Sequence, residues 1–265
     1  MSLIAPLYTA DNCQLAYQLN WSLVVFVRER FRLPESWFDQ LQCATEVDGV
    51  RLLEHRQPDE RTHQFFVSSL PDVSPAEIVR SVKGRWQYLL RPTVPKAFQR
   101  NYRLTSVGSA ELDVLDAYVG RQPAHHTMAD PRVQIRFERL QFHDPRVDLG
   151  AIRQSVHGQF VYGLHFVFEF ANGESCIESK LWQAREEMIV RAARHKKWLL
   201  SRIGVVANHL HVLIGCGMLD APLNAGLSLL NNLSFVDGMR PSYRYGFFVG
   251  TTGPYNRMAI RRRLE

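Results

Sequence analysis

His209-Leu210-His211 is the part of this chain best suited to chemistry. Successive side chains on a strand point to opposite faces, so residues i and i+2 share one. On a strand, the two imidazoles project together while Leu210 and Val212 enter a core. Two imidazoles so spaced can hold one divalent metal ion, with a third ligand supplied from elsewhere. The plain alternative is two histidines alternating with core residues on a solvated face. The setting, Val205-Val206-Ala207-Asn208 before and Val212-Leu213-Ile214 after, weighs against that alternative.

The elements that must carry such a pair are legible as a repeat. Tyr17–Phe26 is an aromatic, β-branched run that reads as a strand, and Tyr162–Phe170 has the same character 145 positions later. Thr62–Val67 and Asn208–Ile214 are short strands carrying histidine, their first histidines 146 apart. Each is followed by a proline-marked turn and a helical segment, Ala76–Leu90 after Ser74-Pro75 and Leu223–Leu233 after Ala221-Pro222. Thr105–Gly108 and Gly250–Gly253 each precede a last helix, again at an offset of 145. The pattern predicts two diverged copies of one α+β unit, residues 1–122 and 151–265, each a small antiparallel sheet with helices to one side. Leu181–Trp198 is predicted as an amphipathic helix, its Arg191, Arg194, Lys196 and Lys197 forming a solvated face. Residues 123–150, rich in proline, histidine and charge, are expected to be a linker, with Val133–Leu140 as a candidate edge strand.

Composition narrows the class without naming a function. No apolar run approaches the ~20 residues of a membrane span. Met1–Asn12 shows no basic region followed by an apolar stretch, so no secretory signal is expected. Cys13, Cys43, Cys176 and Cys216 are scattered without a C-x-x-C pair, which argues against a disulfide framework or zinc ribbon and for a reducing, cytoplasmic setting. The excess of 32 Lys+Arg over 26 Asp+Glu suits a polyanionic partner. No P-loop, Ser-His-Asp arrangement or dinucleotide fingerprint is present.

The His209–His211 segment resembles the HUH signature (His, hydrophobic, His) of single-tyrosine transposases of the insertion-sequence-200/605 type, including those associated with repetitive extragenic palindromes. In the first copy the family's strand–Pro-Ser–helix pattern matches Phe65–Pro71 and Val73–Trp86; in the second, its Phe-Val-Gly-Thr turn matches Phe248–Gly253. The resemblance implies two fused ferredoxin-like domains forming an intramolecular pseudo-dimer that acts on single-stranded DNA, at hairpin ends. It implies a tyrosine on the terminal helix that attacks the scissile phosphate and keeps the 5′ end as a phosphotyrosine. It also implies Mg²⁺ or Mn²⁺ held by the two histidines and a glutamine one turn after the tyrosine.

Carried onto this sequence, the tyrosine is Tyr118 and the glutamine Gln122, four apart on Glu111–Gln122 and so on one helix face. The first copy's strand reads His63-Gln64-Phe65, with the second histidine lost. The second copy keeps His209 and His211, but the tyrosine's counterpart is Arg263. Neither copy is complete alone. If sites form in trans, His209, His211, Tyr118 and Gln122 make one whole site, and His63, Phe65 and Arg263 a dead one. His125 and His126 follow Gln122 and are expected to be exposed linker residues, though they could replace or supplement it. His55, His143, His157, His165 and His195 show no ligand spacing and are expected to be structural or at the surface.

The resemblance directs DNA to Arg28, Arg30 and Arg32 after the first strand and to Lys83, Arg85 and Arg91 on the following helix, with Trp86 and Tyr88 interleaved. Two other readings stay open: an inactive DNA-hairpin-binding descendant, and a metal-dependent phosphodiesterase that uses water as nucleophile.

Overall fold

The computed structural model describes residues 5–125, 130–171 and 179–256. The chain opens with β1 (Gln14–Gln18), β2 (Asn20–Val27), α1 (Trp37–Glu46), β3 (Val50–Asp59), β4 (Thr62–Ser69), α2 (Pro75–Leu90) and β5 (Phe98–Val107). A middle stretch follows: α3 (Leu112–Gly120), α4 (Gln122–His125), α5 (Pro131–Arg139), β6 (Phe142–His143), β7 (Arg153–Gln154) and β8 (Gln159–Val161). The last part is β9 (Gly163–Glu169), α6 (Ser179–Lys196), β10 (Leu199–Val205), β11 (His209–Gly215), α7 (Pro222–Val236) and β12 (Gly246–Thr252). No helix among the described residues is long and apolar enough to cross a membrane.

The molecule is a mixed α/β structure with two six-stranded sheets, ordered β3-β4-β2-β5-β8-β7 and β1-β12-β9-β11-β10-β6. Strands β2, β3, β4 and β5 take the places in one sheet that β9, β10, β11 and β12 take in the other. Local sequence sets these elements. Ser74 caps α2 by accepting from the Glu77 amide, Glu77 answers with a bond to the Ser74 amide, and Pro75 fits the first turn. Gly49 at φ +71° supplies the left-handed turn that returns α1 to β3. Trp86 is fully buried beneath the first sheet, and Trp182, Leu229, Leu230 and Leu233 back the second.

Three expectations are corrected here. Tyr17–Phe26 is not one strand: it divides at Leu19, and its two parts join different sheets. β1 runs parallel to β12, Gln14 opposite Gly246, and β8 runs parallel to β5, Gln159 opposite Arg103. Each half thus lends a strand to the other's sheet, and neither sheet is wholly antiparallel. Within the segment expected as a linker, the described residues carry secondary structure: α5 is a helix where an edge strand was considered, and β6 pairs with β10. Asp130 starts α5 by accepting from the Arg132 amide ahead of a buried Phe137. The halves are clasped where Ser106 Oγ donates to Thr252 O at 2.6 Å and Thr251 Oγ1 donates to Val107 O at 2.7 Å. A Cβ at Gly253 would lie 2.0 Å from Ser106 O, so the close approach there requires glycine.

The core also takes up two histidines. His63 and His55 contact each other at 3.0 Å, and Trp86 meets His63 edge-on at 4.8 Å. Burial pushes both imidazoles down from 6.5 to about 4. They are therefore neutral in the native state and take up protons on unfolding below about pH 6.5. The stability they contribute is complete above that pH and is lost as pH falls toward 4. Between pH 7 and pH 4.5 wild type should lose about 2 kcal/mol more than His63→Phe, with solvent screening allowed for. Urea titrations across that range check this; parallel losses in the two proteins would contradict it.

Candidate active site

β11 divides its residues between two faces. Leu210, Val212 and Ile214 enter the core on the side of α6 and α7, while Leu213 meets Val119 and Leu149 on the other side. His209 and His211 share that second face by strand parity. The helix lying over it is α3, from the first half of the chain. Asp116 on α3 receives Arg202 of β10 through two bonds of 2.7 and 2.6 Å. Val119 sits over Gly204, where a Cβ would come within 2.6 Å of its Cγ1. The missing side chain lets α3 approach the sheet closely. At the preceding residue, the Tyr118 ring meets His211 edge-on, centroids 6.0 Å apart at 87°.

The histidines form a line of contacts. His209 Nδ1 lies 2.8 Å from Asn208 Oδ1, His209 Nε2 is 2.9 Å from His211 Nε2, and His211 Nδ1 is 2.8 Å from His165 Nε2. His165 is buried on β9, stacked on His211 at 5.1 Å and 10°, and burial pushes it down to about 4. It was expected to be structural or at the surface, without ligand spacing. Its place beside His211 depends on the pairing of β9 with β11, which sequence spacing does not reveal; the only signal was its alternation with Leu164 and Phe166.

Gln122 departs from the expected geometry. α3 ends at Gly120, the Arg121 amide turns back onto Ala117, Tyr118 and Val119, and Gln122-Pro123 begins α4. Tyr118 and Gln122 therefore do not share one continuous helix face. The break follows from Pro123, which has no amide hydrogen to carry a helix onward. Gln122 is 1% exposed, and neither atom of its amide has a hydrogen-bond partner among the described residues. A buried unsatisfied amide costs about 1–3 kcal/mol. His125 ends α4; neither its ring nor His126 falls among the described residues.

These residues fit a divalent ion. Facing imidazole nitrogens need a proton or a cation between them. Cis donors about 2.1 Å from an octahedral ion stand about 3 Å apart, close to the spacing of the two Nε2 atoms. The orphaned Gln122 amide, on an element packed against β10, carries an oxygen of the kind that can ligate such an ion. Among the described residues no group of three His, Cys, Asp or Glu side chains has the arrangement of a metal site.

The equivalence of His63 with His209 is also corrected. Val24 pairs with Gln64 and Ser22 with Phe66, as Glu169 pairs with His209 and Val167 with His211. At the shared offset of 145 the counterparts of His209 and His211 are Gln64 and Phe66. A slip of one residue exchanges the faces of a strand, so His63 and Phe65 point into the core instead. Gln64 is bonded to Arg56 and Ser22, and Phe66 packs with Val107, Leu53 and Tyr255. No imidazole occupies that face of the first sheet at these positions. Arg263 lies outside the described residues.

The basic residues proposed for DNA lie on the first sheet's side. Lys83 donates to Gln99, Arg100 and Asn101 carbonyls at 2.8, 3.0 and 3.2 Å, and burial pushes it down to about 8. Arg85 grips Asp48 through two bonds, and Arg30 pairs with Glu60 at 2.7 Å. Arg28 donates to Phe98 O at 3.0 Å; Arg32 and Arg91 are exposed. The structure brings none of the six to Tyr118 in a described contact.

No protein-family model matches this chain, and no curated protein does. Among solved structures it is similar to a REP-associated tyrosine transposase bound to a REP hairpin, at 14% identity and TM-score 0.32 over 38% of this chain. The match spans 61% of that protein. It is similar at 15% identity and TM-score 0.32 to a protein assigned as a transposase from Deinococcus radiodurans R1, over 40% of this chain and 92% of that one. A protein assigned as a glycine cleavage system transcriptional repressor aligns over 88% of this chain, at 9% identity and TM-score 0.21.

Proposed function

We propose that this chain cuts and rejoins single-stranded DNA, at hairpin ends, through a 5′-phosphotyrosine on Tyr118, as a transposase or a domesticated descendant of one. The observation that carries the reading is the edge-on meeting of Tyr118 with His211 across the two halves of the chain. The wider architecture agrees with it. Each half runs βαββαβ with its four main strands ordered 4-1-3-2, as in a ferredoxin-like domain. The recurring offset of 145 and the reciprocal loan of β1 and β8 support two fused copies forming an intramolecular pseudo-dimer.

His209, His211 and Gln122 would hold Mg²⁺ or Mn²⁺, which when bound supplies a Lewis acid at the scissile phosphate. The Tyr118 phenol loses its proton, its oxygen attacks phosphorus, and the bond to the 3′ oxygen breaks. That oxygen takes up a proton and leaves as a free 3′-OH, while the 5′ end stays on Tyr118. Attack by a 3′-OH on the phosphotyrosine reverses the step, so rejoining conserves the bond without water. Tyr118 is nearly half exposed, which leaves its hydroxyl within reach of a strand. Arg28, Arg32 and Arg91 provide exposed charge for phosphates, whereas Lys83 and Arg85 serve DNA only by leaving their present partners.

The test is incubation of the full chain with Mn²⁺ and a pool of labelled single-stranded hairpins, followed by denaturing electrophoresis. A covalent adduct that is lost in Tyr118→Phe is the expected result. Cleavage without an adduct, retained in Tyr118→Phe, would instead assign a water nucleophile. Hairpin binding with no cleavage would assign the inactive descendant.

A further inference from the structure

His165 is absent from the ligand set just described, yet its contact with that set is among the shortest the histidines make. Its ring lies parallel to His211, with Nε2 2.8 Å from His211 Nδ1, on the side away from the facing Nε2 atoms of His209 and His211. Phe248 closes against it edge-on at 6.0 Å. His165 therefore cannot reach the position between the two Nε2 atoms, and it is not a third ligand. Its counterpart at the offset of 145 in the other sheet is Asn20, where Gln64 and Phe66 stand in place of the two histidines. The other sheet's own stacked pair, His55 and His63, stands at different positions.

An imidazole that presents Nε2 to a cation must keep its proton on Nδ1, and a buried Nδ1–H needs an acceptor. His209 has one in Asn208 Oδ1, at an exposed residue where water can take over. His211 is buried, and the nitrogen facing its Nδ1 belongs to His165. We propose that His165 is the positioning residue of this centre: its Nε2 accepts the Nδ1–H of His211 and fixes His211 in the tautomer that aims Nε2 at the ion. The inference rests on the metal reading given above.

Two measurements test it, and they fail separately. With the full chain labelled with ¹⁵N-histidine, ring correlations without metal should show His211 protonated at Nδ1; protonation at Nε2 alone would overturn the proposal with no variant needed. Mn²⁺ binding, followed by the loss of the free-ion electron paramagnetic resonance signal, should weaken about 10–100-fold in His165→Phe. His165→Gln, whose amide oxygen can accept near the same point, should restore much of that loss, and Asn208→Ala should change affinity less than about threefold. Equal Mn²⁺ affinity in wild type and a folded His165→Phe would overturn the role of His165. No Mn²⁺ binding by wild type would overturn the metal reading instead, leaving the tautomer to be decided by the first measurement.

Discussion

His209→Ala is expected to lower metal-dependent cleavage by about 10³-fold or more while leaving hairpin affinity nearly unchanged. Unperturbed tyrosine has a pKa near 10, so about one phenol in a thousand is ionised at neutral pH, and the attack depends on a cation beside the phosphate. His209 supplies one of two facing Nε2 atoms 2.9 Å apart, and alanine leaves His211 without its partner. Affinity should persist because phosphate contacts from arginine and lysine dominate single-strand binding. Cleavage by gel and binding by anisotropy, measured on one hairpin, check the split. Equal losses in both would mean that the histidine serves binding or folding. His209 is partly exposed and on the face away from α6 and α7, so the variant should fold.

Asp237→Ala is expected to cost about 3–5 kcal/mol, a fall of about 10 °C in Tm. Arg185 on α6 and Asp237 at the end of α7 join through two bonds of 2.8 Å, with side chains 4% and 3% exposed. The guanidinium also lies 5.6 Å from the Phe170 and Tyr243 rings. Alanine leaves that cation buried without its carboxylate, and the cost is mainly desolvation. Asp48→Ala, which breaks a more exposed pair with Arg85, should cost about 1 kcal/mol or less. Replacing Arg185 and Asp237 together by leucine should recover part of the loss. Thermal melts of the variants check the ranking; an Asp237→Ala effect no larger than that of Asp48→Ala would mean that water reaches the pair. Because α6 and α7 back the sheet that holds β11, this pair supports the histidines from behind.

The elements were largely legible because they rest on local rules. The Ser74–Glu77 capping box, Pro222 and the β-branched runs around His209 each act within a few residues, so α2, α7 and β11 could be read directly. The recurrence of similar elements at an offset of 145 was legible too, since it depends only on spacing along the chain. Strand alternation gave His209 and His211 a common face. Pairing is a different matter, because a strand does not encode which neighbour it joins or in what register. That is why Tyr17–Phe26 read as one strand while its parts lie in two sheets, and why His63 was matched to His209 one residue out of register. The break before Gln122 is local, set by Pro123, but the passage of α3 over the other half's sheet and the contact of His165 with His211 arise between residues far apart in the chain. Sequence alone determined which chemical groups this protein owns and on which local elements they ride. Only the tertiary structure decided which of them meet, because strand register and the packing of α3 are set by the burial of whole faces at once.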